Sequence, residues 1–274
     1  MKNRKIVFIG AGNMSRAIIS GLIFSGYPAT KISVCAPSAD KRNALSKEFN
    51  ITNSSNNIAS TQQAEVIILA VKPQVMIEVC QSLQDGGINF SNKLILSVAA
   101  GIKISRFYDL LGDKLNIIRV MPNMPVLVRK GMSGLFAPTH INQADRNFTE
   151  YLLCSIGKIC WLKSEQDINK VIATTGSAPA YFFLLMEAMQ QQAIKQGFNE
   201  ATARLLVQQA ASGALALVEA NSQLPLSKLR EQVTSKGGTT AAALKVFKEQ
   251  DLSGIISCAM QAATFRGEEM EKLF

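Results

Sequence analysis

The chain has 274 residues, 47% of them hydrophobic and 18% charged, a balance that excludes a disordered chain and leaves room for one large or two modest domains. The net charge of +9 is uneven: residues 1–163 carry 19 Lys+Arg against 9 Asp+Glu, and residues 164–274 carry 10 against 11. This fits either a solvated basic face or a domain for a polyanionic ligand, while the lack of a dense basic run with aromatics argues against nucleic acid, and Gly176 and Pro179 interrupt the one stretch (Val171–Met186) that approaches a membrane span.

The opening "MKNRKIVFIGAG" has the basic head of a secretion signal, but its apolar part is short and runs into a glycine turn, so "KIVFIG" (Lys5–Gly10) reads as a first strand. "MSRAIISGLIFSG" has helical spacing and ends at Gly26. "KISVCA" (Lys31–Ala36) is a second strand, and "SADKRNALSKEF" a second helix with Ser38 as N-cap. "VIILAV" (Val66–Val71), "KLILSVAA" (Lys93–Ala100) and "NIIRVM" (Asn116–Met121) continue the strands, and "SGLFAP" and "KICWL" read as late edge strands around a helix near 142–154. Apolar strands alternating with helices predict an α/β domain, a doubly wound parallel sheet covered on both faces.

After Lys163 the strand signals stop. "QDINKVIATTG", "SAPAYFFLLMEAMQQQAIKQG", "NEATARLLVQQAASGALALVEA", "QLPLSKLREQV" and "GTTAAALKVFKEQ" all have helical spacing. Residues 164–274 are therefore expected to form an all-helical domain behind a first domain of residues 1–163. "TTGSAPAYFF" interrupts the pattern with Gly176 and Pro179, which reads either as a simple turn or as a small-residue opening for a substrate.

"GAGNMS" places Gly10, Gly12 and Ser15 in a G-x-G-x-x-small frame between a strand and a helix. Glycines there allow a tight turn and close approach of a pyrophosphate to free helix N–H groups, so Ile9, Gly10, Ala11, Gly12, Asn13 and Met14 are candidate dinucleotide contacts. An NAD site would place an acid after the second strand; "CAPS" (Cys35–Ser38) has none, whereas Ser38, Lys41 and Arg42 stand where a 2′-phosphate would be met. NADP(H) is thus preferred, with NAD(H) still open. "AVKP" (Ala70, Val71, Lys72, Pro73) and "VAAG" (from Val98, Ala99 and Ala100) end strands on the same edge, and Lys72 is either a surface lysine or a site cation. "SKGGTT" (Ser235–Thr240) starts a late helix with Gly237, Gly238 and the hydroxyls of Thr239 and Thr240; in a P-loop the lysine would follow the glycines, so this loop suits a carboxylate as well as a phosphate.

One histidine, His140, leaves no triad and no histidine metal cluster, and no metal is expected. Five scattered cysteines without a CxxC fit reduced thiols in a cytosol. Hydride transfer suits such a chain, because the cofactor supplies the difficult step and the protein positions it.

"FIGAGNM", "AVKP", "SVAAG", "RVMPNMP", "GSAPAY" and "TSKGGTTAAAL" run in order over nearly the whole chain. With them the chain resembles the pyrroline-5-carboxylate reductases. The resemblance implies NAD(P)H-dependent reduction of L-1-pyrroline-5-carboxylate to L-proline, the last step of proline biosynthesis, in the cytoplasm. It implies that Asn57 lies near the adenosine ribose phosphate, that Ala70–Pro73 and Val98–Ala100 follow the nicotinamide half, and that Ser235, Gly237, Gly238, Thr239 and Thr240 take the substrate carboxylate. Thr240 is the expected catalytic residue, with Lys72 or a water as the other candidates for the nitrogen proton. The resemblance also implies an interlocked homodimer, extending to a decamer, with no membrane or nucleic-acid partner. Leu205, Leu206, Val207, Leu215, Leu217 and Val218 spread too widely for one buried stripe, as a shared helical domain requires, or as a bundle core would explain otherwise. A related NADP-dependent imine reductase or small-acid dehydrogenase is the rival reading, although "GSAPAYFF" lacks the second-domain lysine such dehydrogenases use; a nucleotide-binding protein without activity is the other.

Overall fold

The computed structural model describes residues 3–113 and 115–274. Strands and helices alternate as β1 (Ile6–Ile9), α1 (Asn13–Phe24), β2 (Ile32–Cys35), α2 (Ala39–Phe49), β3 (Thr52–Ser54), α3 (Asn57–Gln63), β4 (Val66–Leu69), α4 (Pro73–Asp85), β5 (Leu94–Ser97), α5 (Ile104–Leu111) and β6 (Asn116–Met121). Then come β7 (Gly131–Phe136), α6 (Gln143–Cys154) and β8 (Gly157–Trp161). The sheet order is β3-β2-β1-β4-β5-β6-β7-β8. All neighbours pair in parallel except β6 and β7, which run antiparallel.

Every residue of β1, β4 and β5 is buried. Parallel strands covered on both faces need this continuous apolarity. One face packs on α1 and α6 through Ile18, Leu22, Phe148 and Leu152, and the other on α4 and α5 through Met76, Leu83 and Phe107. Ser38 caps α2 as expected, accepting from the Lys41 N–H, and Asn50 ends that helix in the left-handed region (φ 54°). β3 has no counterpart in the sequence reading: its three residues are polar and lie on the sheet edge.

The helices that follow are α7 (Asp167–Val171), a π-helical turn (Ile172–Gly176), α8 (Ala178–Lys195), α9 (Glu200–Ala220), α10 (Leu226–Gln232), α11 (Thr239–Glu249) and α12 (Leu252–Met270). Two compact units result, Met1–Ser177 with Ala263–Phe274, and Ala178–Ala262. The chain thus passes between them at the end of the π turn and again within α12. Gly176 and Pro179 do not break the helix into an opening. Helical structure runs from Asp167 to Lys195, long and apolar enough by length and composition to cross a membrane. The proline is absorbed because it sits in the first turn of α8, behind a π turn closed by the Ser177 N–H on the Ile172 carbonyl (2.8 Å).

Candidate functional sites on each unit

The loop between β1 and α1 is held from three sides. Gly10 donates its N–H to the Cys35 carbonyl (2.7 Å), and the buried Ser15 hydroxyl donates to the Gly10 carbonyl (2.7 Å). Gly10 has φ 113°, and a Cβ there would lie 2.6 Å from the Ala70 carbonyl oxygen. Only glycine meets both conditions. Gly12 differs: no atom lies within 4 Å of where its Cβ would be. It precedes α1, whose first turn has neither a side-chain cap nor an acid. The free N–H groups and positive dipole end of α1 therefore face open space, which suits a pyrophosphate.

The other predicted cofactor residues share this edge. Ala70 donates its N–H to Ile9 O (2.9 Å) and Val98 to Leu69 O (3.1 Å), which brings the turns after β1, β4 and β5 side by side. Ile9, Gly10 and Ala99 are buried, Ala11, Met14, Ala70, Val71, Pro73, Val98 and Ala100 half-buried, and Asn13 exposed. Pro73 opens α4, whose N-terminus also lacks a side-chain cap. Lys72, just before it, is exposed and has no acid partner among the described residues. Asn57 begins α3 beside the end of β2, where Cys35 Sγ contacts the Asn56 carbonyl (3.8 Å) and burial pushes the thiol pKa up. Arg42 spends Nη1 on the carbonyls of Ala36 (3.1 Å) and Pro37 (3.0 Å), so it braces the turn that carries Ser38. His140 bonds the Leu115 carbonyl (3.1 Å) at the start of β6, the edge opposite these loops.

Sequence reasoning missed an ionic cluster beneath the β5 turn. Arg119, 1% exposed, pairs through Nη1 with Glu165 Oε1 (3.0 Å) and Glu271 Oε1 (2.9 Å). Glu165 also accepts the Ile104 N–H (2.7 Å), and Lys103 reaches Glu271 (3.5 Å). Burying an arginine requires such compensation. The cluster ties the last residues of the chain to β6 and α5. No local signal reveals it, since Glu165 and Glu271 are remote from Arg119 in sequence.

The second predicted set lies in the helical unit. Gly237 has φ 73°, and the Gly238 N–H closes a turn on Ser235 O (3.1 Å). A Cβ on Gly238 would meet Ser235 Oγ at 2.3 Å. Gly238 precedes α11, which again has no side-chain cap and no acid in its first turn. Helical bonding starts with Ala242 N–H on Gly238 O (3.1 Å), so the N–H groups of Thr239, Thr240 and Ala241 have no partner in the helix. Thr239 is exposed, Thr240 half-buried, and Lys236 exposed. One small anion fits this arrangement.

The family described as pyrroline-5-carboxylate reductase dimerisation matches residues 165–270, and NADP oxidoreductase coenzyme F420-dependent matches residues 5–101. A pyrroline-5-carboxylate reductase of Vibrio alginolyticus is 56% identical over 274 residues, covering 100% of both chains. The solved structure of a pyrroline-5-carboxylate reductase from Coxiella burnetii superposes with a TM-score of 0.92 at 36% identity, covering 98% of this chain and 99% of that one. That of Plasmodium falciparum pyrroline carboxylate reductase with NADP bound gives 0.87 at 26% identity, covering 99% of each.

Proposed function

Because the chain belongs to the pyrroline-5-carboxylate reductase family, we propose that it reduces L-1-pyrroline-5-carboxylate to L-proline with NADPH as the last step of proline biosynthesis. The observation that carries this reading is the pair of uncapped helix N-termini, one behind the unobstructed Gly12 and one behind Gly238. The first suits a pyrophosphate and the second a carboxylate.

Residues 1–163 serve cofactor binding, and residues 164–274 serve dimerisation and substrate binding. The loop Gly10–Met14 takes the pyrophosphate, Ser38 and Asn57 the adenosine ribose phosphate, and Ala70–Pro73 with Val98–Ala100 the nicotinamide half. NADPH is preferred because the end of β2 and the turn after it, Cys35–Ser38, carry no acid to hold free ribose hydroxyls. The bound cofactor supplies the hydride. Ser235, Gly237, Gly238 and Thr239 hold the carboxylate. The C=N carbon gains the hydride, and the nitrogen gains a proton at Thr240, whose hydroxyl has no hydrogen-bond partner among the described residues. The assembly is an interlocked dimer, extending to a decamer, in the cytoplasm. Its support is the exposed apolar surface of the helical unit, including Phe183, Leu184, Leu205 and Leu215.

The test follows NADPH absorbance on adding pyrroline-5-carboxylate, with a cyclic imine lacking the carboxylate as control. Rapid oxidation with the first substrate alone is expected; equal rates with both would remove the carboxylate role of Ser235–Thr240. Thr240→Ala should lower kcat by about a hundred-fold or more, the range of a lost proton-transfer group, with NADPH affinity unchanged. An unchanged kcat would end that assignment.

A further inference from the structure

We infer that Asn123 is a positioning residue for this reduction: it holds the π-helical turn Ile172–Gly176 in a single geometry. The inference rests on the reductase reading above. In an α-helix the Thr175 carbonyl would accept the N–H of residue 179. Residue 179 is proline and has none. Asn123 Nδ2 supplies the missing donor to Thr175 O at 3.0 Å. Its Oδ1 accepts the Met132 N–H at 2.8 Å. A carbonyl can only accept and an N–H can only donate, so these two partners fix the amide in one orientation. A single side chain thus joins the exit of β6, the start of β7 and the turn.

The turn needs this support. π-Helical turns are rare, and they occur often at functional sites. The Thr174 and Thr175 hydroxyls are turned back on Lys170 O (2.7 Å) and Val171 O (3.0 Å), so neither is free to hold Thr175 O from outside. A Cβ on Gly176 would sit 3.5 Å from Met121 Cε, which places the turn against the carboxyl end of β6, on the edge that carries Val98–Ala100. Immediately after it the chain enters the unit that bears Ser235–Thr240. Reverting the turn to an α-helix would remove one residue from the coil. Everything that follows would then rotate by about 100° and shift by about 1.5 Å along the axis. A misplacement on the order of 1 Å far from the chemistry can cost about a hundred-fold in rate.

Asn123→Ala, Asn123→Asp, Pro179→Ala and the Asn123→Ala/Pro179→Ala pair test the inference. The readouts are kcat, the primary isotope effect with deuterated NADPH, the Kd for NADPH and the melting temperature. Asn123→Ala should lower kcat by about ten- to a hundred-fold and raise the isotope effect, with the Kd for NADPH within about two-fold of wild type. Alanine at 179 restores a backbone donor for Thr175 O, so the double variant should recover most of the lost kcat, a non-additivity expected of one shared contact. Asn123→Asp keeps the acceptor for Met132 and loses only the donor to Thr175. It should match Asn123→Ala, and it carries the test if the alanine variant does not fold. Pro179→Ala alone should turn over close to wild type, and wild-type turnover in Asn123→Ala or Asn123→Asp overturns the inference. So does a kcat loss that merely tracks the unfolded fraction, with no change in isotope effect and no rescue in the double variant. An inactive wild type would instead sink the reductase reading, and the inference with it.

Discussion

The two compact units treat their apolar residues in opposite ways. In the first, the strands are buried and two apolar clusters close over the faces of the sheet. Across Ala178–Ala262 only Ala203 and Val207 are buried, while Phe182, Phe183, Leu184, Leu205 and Leu215 are each more than 60% exposed. One part of the chain makes its core from itself. The other has the composition of a core and no interior in which to place it. A family dimerisation match over residues 165–270 supplies the reason: a homo-oligomer completes that core.

The sharpest way to break this contrast is to charge the open face. Leu184→Glu with Leu205→Glu should abolish assembly and unfold the helical unit, because each leucine gives up about 1.5–3 kcal/mol of burial and each glutamate resists desolvation. Sedimentation equilibrium and far-UV circular dichroism read the two effects, and an assembled, fully helical variant would show that the face is not a shared core. The melting temperature of the wild type should also rise with protein concentration. A smaller loss is expected inside the first unit. Arg119→Met removes the nearer partner of the buried Glu271 and leaves it only Lys103 at 3.5 Å, a change worth up to about 3–5 kcal/mol. Denaturant unfolding should register it, with faster amide exchange over residues 263–274, while assembly persists. Wild-type stability would mean that the cluster adds nothing.

The same contrast explains what the sequence made legible. Strand, glycine turn and helix lie next to one another in the chain, so the loop at Gly10–Met14 and the turns after β4 and β5 could be read locally. "SKGGTT" was legible for the same reason. β3 was not, because Thr52, Asn53 and Ser54 form an edge strand with no apolar run. α12 was not, because its small and apolar residues carry no clear stripe and only Gly267 is buried. Gly176 and Pro179 indicated a break, yet the helix continues, because the carbonyl that the proline leaves without a donor finds Asn123, far away in sequence. Arg119 sat in what read as an ordinary apolar strand. Its neutralisation by Glu165 and Glu271 is a tertiary fact.

The finest comparison lies within one loop. Gly10 and Gly12 look equivalent in the motif, but the structure separates them. Alanine at Gly10 would have to adopt φ 113° and place its Cβ 2.6 Å from a backbone oxygen of β4's exit turn. That strain costs about 1–3 kcal/mol and would displace the loop, lowering stability and NADPH affinity together. Gly12 has an ordinary φ of −88° and open space around its Cβ position. Gly12→Ala should therefore fold as well as wild type, or better by about 0.4–1 kcal/mol through the restricted unfolded chain. Its methyl would nonetheless stand where a pyrophosphate must approach the first turn of α1, and should weaken NADPH binding by about ten-fold, or 1.4 kcal/mol. Thermal melts with and without NADPH, alongside a fluorescence titration, distinguish the two variants. If Gly12→Ala binds NADPH like wild type, the open space before α1 is not the pyrophosphate cradle, and Gly10 serves only to turn the chain.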